Sequence, residues 1–248
     1  MGNLRFAFRI LSILAGLIVC LPLHYGWRLF RAPSPWPRRF LRWVGRSAGL
    51  KARSVGTPLS RNVLFVANHL SWLDIMVLAG ATGTAFVSRD DVGRWPVIGW
   101  LANMNHTVYV DRSDRRAVQN QADTLRTALE SGQPVALFPE GTTDGGTDVL
   151  PFRASLLSAL FPPIPGLQVQ PVAIDYGAAG AEIAWTGEEG AAANARRVLS
   201  RKGTAPVTLH FLPPLDPAVL GDRKALAQAA RDAIVAALRP SAPAPDRL

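Results

Sequence analysis

Two short apolar runs, each ending in a polar cluster, constrain this chain more than any other feature. Val63-Leu64-Phe65-Val66 leads into Asn68-His69-Leu70-Ser71-Trp72-Leu73-Asp74, and Val135-Ala136-Leu137 leads into Phe138-Pro139-Glu140-Gly141-Thr142-Thr143. Apolar runs of this length read as buried strands. Polar clusters just past the ends of buried strands are where open α/β sheets place ligand sites. Histidine is well matched to proton transfer near neutral pH, and a nearby carboxylate fixes its tautomer. The pattern points to a His69–Asp74 pair acting on a hydroxyl, with the second cluster forming part of the pocket.

The chain around these runs alternates helix and strand. Residues 72–79 read as a helix, 84–88 as a strand and 92–103 as a helix with Pro96 in its first turns. Residues 107–110 are a strand leading to Asp111-Arg112. Ser113 can cap the next helix, whose Val118, Ala122, Leu125 and Leu129 share one face. Gly132 closes it and Pro134 opens the next strand. Residues 168–175 and 207–212 are further strands, and the Ala/Gly-rich stretch 177–195 between them shows no clear period. Asp222 can cap a last helix with Leu226, Ala230, Ile234 and Leu238 on one face, stopped by Pro240. The expected fold is a single α/β domain with a mixed, partly parallel sheet flanked by helices, preceded by an N-terminal membrane-associated helical segment. The expected division is 1–50 for the anchor and a basic amphipathic helix, 51–239 for the domain and 240–248 for a Pro/Ala-rich disordered tail.

The anchor rests on residues 10–23, apolar apart from Ser12, with Arg5 and Arg9 before them and Arg28 and Arg31 after. A full span needs ~20 residues, so this run crosses only if Arg9 snorkels and residues 6–8 join it. A cleaved signal peptide shares the basic-then-apolar pattern. Here no A-x-A-like site follows; Trp27, Phe30 and more arginines come instead, which favours a retained anchor that spans or enters one leaflet. Residues 38–46 place Phe40, Leu41, Trp43 and Val44 among four arginines, as in a basic helix lying on a membrane. A surface helix packed on the domain would show the same spacing. Arginines beside an apolar segment favour the cytoplasmic side, in a bacterial-type inner membrane.

The formal net charge of +9 suits nucleic acid, an anionic membrane or acidic ligands. No basic-aromatic repeat and no zinc-knuckle spacing is present, which argues against nucleic acid. The single cysteine, Cys20, excludes an intrachain disulfide and a Cys-rich metal site. Neither a metal nor a bound cofactor is expected.

Each candidate residue has a structural reading beside the chemical one. Ser71-x-x-Asp74 resembles a capping box, so Asp74 can serve the helix start, His69, or both. Pro139-Glu140-Gly141 is a common turn pattern, yet a carboxylate at a buried strand end needs a partner. Arg112 offers a fork for phosphate or carboxylate, or an ion pair with Asp111, Asp114 or Glu140.

At these residues the chain resembles the glycerolipid acyltransferase family, which includes 1-acylglycerol-3-phosphate acyltransferases. Asn68-His69-x4-Asp74, Tyr109-Val110-Asp111-Arg112, Phe138-Pro139-Glu140-Gly141-Thr142 and Gln170-Pro171-Val172-Ala173-Ile174 stand in the order of its four blocks. Ser88-Arg89-Asp90-Asp91-Val92 and Trp95-Pro96-Val97-Ile98-Gly99 are similar to the segment between the first two. The resemblance implies acyl transfer from acyl carrier protein or coenzyme A to a lysolipid hydroxyl. It implies His69 as general base and Asp74 as its orienting carboxylate. Asn68, Arg112, Glu140, Gly141, Thr142 and Thr143 would line the acceptor. The acceptor commonest in the family, and the one the resemblance implies first, is 1-acylglycerol-3-phosphate, giving phosphatidic acid, with lyso-ornithine lipid as the alternative. One departure bears on it: phosphate-acceptor members commonly carry arginine after Gly-Thr in the third block, where this chain has Thr143. In this form residues 138–145 resemble the branch that includes lyso-ornithine lipid acyltransferases. Two rivals come from other classes. A non-catalytic membrane-surface lipid-binding protein explains the charge and the anchor, but not the polar clusters after two strands. A serine hydrolase lacks its Gly-x-Ser-x-Gly elbow here.

Overall fold

All five residues of the strand Val63–Ala67 (β2) are buried, as a strand covered on both faces requires. Val63, Phe65 and Ala67 face one apolar cluster, and Leu64 and Val66 face another. The other strands are β1 Leu50–Val55, β3 Ala85–Arg89, β4 Val108–Val110, β5 Val135–Leu137, β6 Gln168–Asp175 and β7 Ala205–Phe211. The structure, a computed structural model, describes residues 2–239 apart from 90–92, 94–95, 106, 111–114, 144, 146–147 and 188. Arg112, His106, Asp144 and the tail 240–248 therefore lie outside the described residues.

The strands form one sheet in the order β1-β7-β6-β2-β5-β3-β4. Neighbours run parallel except β6 and β7, which are antiparallel. The sheet is thus mixed and partly parallel, with helices on both faces. The chain leaves β2 toward β3 on one flank and leaves β6 toward β7 on the other. Adjacent parallel strands whose connections diverge open a crevice at their carboxyl ends. Both polar clusters stand at that edge, after β2 and β5.

Three helices carry the N-terminal half of the argument: α1 Gly2–Arg28, α2 Trp36–Ser47 and α3 Leu73–Thr82. α3 runs one turn past the expected end, to Gly83. That residue adopts φ 77° and donates its N–H to Ala79 O at 2.7 Å, a glycine C-cap. α2 packs Phe40 and Val44 inward against α1 and α3. Its Arg38 and Arg42 donate to the Gly80 carbonyl, and Arg38 also to Ala81 O, at the electronegative end of α3. Two arginines expected to face lipid thus fasten α2 to the domain.

α1 is long and apolar enough to cross a membrane, and it lies along the domain. Its buried residues Arg9, Gly16, Cys20 and His24 form one stripe. Arg9 donates to Val198 O, Leu199 O and Gly203 O at 2.8–3.3 Å, and Arg5 donates to Ser200 O at 3.0 Å. The carbonyls of 198–200 end the helix Ala191–Ser200, and Gly203 lies in the bend after it. Leu4, Phe8, Leu11, Leu14 and Ile18 remain exposed on the other face.

Other elements depart from the sequence reading. β1 was not anticipated: five of its six residues are exposed, and it forms through pairing with β7. Of the helix expected over 92–103, the structure describes Pro96–Met104 as helical, and 90–92 and 94–95 lie outside the described residues. β7 begins two residues earlier than expected. The stretch 177–195 holds a 3-10 turn at Gly177–Ala179, a single helical turn at Gly180–Ile183 and the start of the helix Ala191–Ser200. Asp222 caps the last helix, Arg223–Leu238, accepting from Lys224 N and Ala225 N at 2.6 and 3.1 Å. Those two donors hold its carboxyl below the usual range.

Candidate active site

The first polar cluster leaves β2 and turns tightly into α3. The turn is closed by one carboxylate. Asp74 is fully buried, and its Oδ2 accepts from Leu70 N at 2.6 Å and Ser71 N at 2.8 Å. The same oxygen lies 2.9 Å from His69 Nδ1. The carboxylate half of a capping box is present, but Ser71 is not the N-cap. Trp72 holds that position, and Ser71 Oγ accepts only a long 3.4 Å bond from Leu73 N. Asp74 therefore serves the helix start and His69 together. The bond to Asp74 places the proton of a neutral imidazole on Nδ1 and leaves the Nε2 lone pair free. His69 is 18% exposed on its side chain, so the ring is partly open to solvent.

The other carboxylate oxygen has a partner that sequence reasoning did not single out. Tyr176, just past β6, donates its hydroxyl to Asp74 Oδ1 at 2.7 Å. Burial and the neighbouring carboxylate push the Tyr176 phenol well above its ordinary value, so it stays a donor. A clue was present: β6 pairs with β2, so a polar tip just past β6 lies beside the turn that follows β2. The pairing was not visible in the sequence. Asn68 ties the same strands together, donating to Ile174 O at 3.0 Å and accepting from Ile174 N at 2.8 Å. Its amide thus bonds both backbone groups of Ile174, which makes it a brace for the loop.

The second polar cluster supports His69 from the opposite side. Phe138 stacks on the imidazole, with centroids 4.0 Å apart and planes 11° from parallel. Glu140 is 3% exposed, and its Oε1 accepts His69 N at 2.7 Å. Its Oε2 accepts Leu150 N at 3.0 Å. The buried carboxylate thus has the partners its position requires, and one of them is the backbone of the histidine. Gly141 follows with φ 75°, a left-handed conformation that glycine adopts without strain. Thr142 is exposed and its hydroxyl faces Thr143 O at 3.3 Å; Thr143 is half-buried. The structure brings Asn68, His69, Asp74, Glu140 and Gly141 together, with Thr142 and Thr143 at the rim. Arg112 is outside the described residues. Among the described residues no group of three or more His, Cys, Asp or Glu is placed to hold a metal.

A buried carboxylate, a histidine with one free nitrogen and an open rim suit general-base activation of a hydroxyl. Comparison with known proteins follows the same line. Residues 51–175 match the family model described as Acyltransferase. The chain is 36% identical to the lyso-ornithine lipid O-acyltransferase of Rhodobacter capsulatus, covering 94% of this chain and 90% of that protein. It is 32% identical to the 1-acyl-sn-glycerol-3-phosphate acyltransferase of Neisseria gonorrhoeae over 54% of each chain. In fold it is similar to the crystal structure of the 1-acyl-sn-glycerophosphate (LPA) acyltransferase PlsC from Thermotoga maritima. That match has a TM-score of 0.64 and 22% identity, and covers 98% of this chain and all of that one.

Proposed function

This chain belongs to the acyltransferase family, and we propose that it moves a fatty acyl group from a thioester to the free hydroxyl of a membrane lysolipid. The observation that carries the reading is the His69 Nδ1–Asp74 Oδ2 contact of 2.9 Å, which leaves Nε2 as the nitrogen available to a substrate. In the proposed step Nε2 takes the acceptor's hydroxyl proton as its oxygen attacks the thioester carbonyl. The new C–O bond forms, the C–S bond breaks, and the proton passes to the departing thiolate. Asp74 stabilises the imidazolium that exists between these events. A positioned base typically supplies ~10²–10⁴ in rate. The acyl donor is acyl carrier protein or coenzyme A, and the step needs no bound cofactor.

For the acceptor, we favour a lyso-ornithine lipid. Thr143, a neutral side chain, stands where a second cationic fork would serve a phosphomonoester. The Rhodobacter relative named for that acceptor covers nearly the whole chain. The second reading, 1-acylglycerol-3-phosphate, is favoured by the Neisseria relative and by the commoner usage of the family.

The protein acts at a membrane. α1 is bonded to the domain near its N-terminus and exposes an apolar face along its length, so we read it as lying in one leaflet rather than leaving the domain to cross. No Asp or Glu precedes Asp74, so the anchor and α2 present only positive charge to anionic lipid on the cytoplasmic face. Residues 51–239 are then the acyltransferase unit and 1–50 its anchor.

Mass spectrometry of lipids made by the purified protein from a mixed panel of lysolipids tests this. An acylated lyso-ornithine lipid is the expected product. Phosphatidic acid alone would select the second reading. Free fatty acid without ester would mark a hydrolase, and no turnover a lipid-binding protein.

A further inference from the structure

The loop between Glu140 and Arg153 is closed twice. Glu140 Oε2 accepts Leu150 N at 3.0 Å, and Pro139 O accepts Arg153 N at 2.9 Å. Closing the loop folds the Arg153 side chain back over Gly141. A Cβ built on Gly141 would lie 3.2 Å from Arg153 Cζ and Nε and 3.3 Å from Cδ. The guanidinium thus rests on the glycine of the Glu-Gly turn, one residue past the carboxylate that holds the His69 backbone. Glycine at 141 is needed twice: for its positive φ, and for this approach. Arg153 is exposed and forms no ion pair within 4.0 Å among the described residues.

We propose that Arg153 reads the acceptor's headgroup, its guanidinium binding the carboxylate of an amino-acid headgroup. This rests on the acyl-transfer reading above and names the group recognised at that site. An arginine fork matches a carboxylate with two parallel hydrogen bonds. Through Glu140, the turn on which Arg153 lies is bonded to the backbone of His69, which sets the proposed headgroup contact beside the proposed base. Sequence spacing does not show the contact, because the side chain reaches Gly141 from twelve positions further on. The anion-binding function associated with the position of Thr143 is thereby moved to a residue on the other side of the same loop.

The test pairs a substitution in the protein with one in the substrate. Lyso-ornithine lipid and its carboxamide analogue are compared by kcat/KM in wild type, R153Q and R153K. Wild type is expected to prefer the acid by about tenfold or more, the worth of ~1.4 kcal/mol of charge-assisted bonding. R153Q should lose that preference, and R153K should keep part of it. KM for the acyl donor should be unchanged, which separates headgroup reading from damage to the turn. R153K retains the packing on Gly141 and answers the question alone if R153Q does not fold. A folded R153Q or R153K that discriminates as wild type does overturns the inference and leaves acyl transfer standing, as does a wild type indifferent to the amide. A wild type that acylates neither compound but makes phosphatidic acid removes the carboxylate reading at its root.

Discussion

The two sides of the site are built to different standards. On the β2 and β6 side, Asp74 is fully buried and both its oxygens are bonded, Oδ2 to two backbone N–H groups and His69, Oδ1 to Tyr176. On the β5 side, the chain is buried as far as Glu140 and then opens to Gly141, Thr142 and the exposed Arg153. The first side holds one histidine nitrogen through a carboxylate that is itself held by three further bonds. The second is held at its ends by the bonds of Glu140 and Arg153 N. Such a division lets one proton-transfer device serve different headgroups, since the reading residues change without disturbing the buried carboxylate. Rigid support for the reacting group and variable loops for recognition are a general solution.

Asp74→Asn breaks the closed side most severely. Asparagine can keep the Leu70 and Ser71 bonds through its oxygen and turn its amide toward Tyr176 Oη, so the fold should survive. The imidazolium loses its compensating charge, and kcat should fall by about 10²-fold or more. A stopped assay with saturating donor and acceptor measures it. Glu140→Gln joins the two sides and should show it. Glutamine has one acceptor oxygen for two facing N–H groups, so either His69 N or Leu150 N is left opposed to an amide donor. Activity should drop about tenfold, with about 1–3 kcal/mol of stability lost in urea unfolding.

Thr143→Arg alters only the open side. A second cationic fork should move the kcat/KM ratio toward 1-acylglycerol-3-phosphate and away from lyso-ornithine lipid by about tenfold, or ~1.4 kcal/mol. An unchanged ratio in a folded, active variant would show that Thr143 takes no part in reading the headgroup. Tyr176→Phe is the mildest. It removes one donor from Asp74 while the other oxygen keeps its bonds, so a few-fold loss of kcat is expected, with about 1–3 kcal/mol of destabilisation. A pH signature should accompany it. In the unfolded chain a tyrosine ionises near ~10, whereas buried Tyr176 stays protonated well above that. The folded state then holds a proton the unfolded state has lost, so its stability falls as pH rises past the unfolded value. Urea midpoints above about pH 10 should fall less steeply in Tyr176→Phe than in wild type.

Local pattern carried the parts of this molecule that local forces determine. β2 and β5 are legible because each is an apolar run ending in polar residues, and the last helix because Asp222 is a side-chain cap. The contact of His69 with Asp74 follows from a tight turn within six residues. β1 is not legible, because five of its six residues are exposed and only β7 makes it a strand. The reach of Tyr176 and of Arg153 is hidden for a related reason, although Arg153 is legible as a cation that could serve the position of Thr143. One reaches Asp74 across a strand pairing, the other reaches Gly141 across a closed loop, and neither distance is encoded in spacing. α2 shows a third kind of difference. Its arginines read as lipid-facing, but two of them find the unpaired carbonyls at the end of α3.

The central claim is that His69 Nε2, held by Asp74, takes the acceptor proton. Its most direct measurement is single-turnover acyl transfer by His69→Ala, with circular dichroism to establish the fold. The account predicts a loss of about 10²–10⁴-fold at unchanged donor and lysolipid affinity. A folded His69→Ala protein that transfers acyl groups within about threefold of the wild-type rate would contradict it.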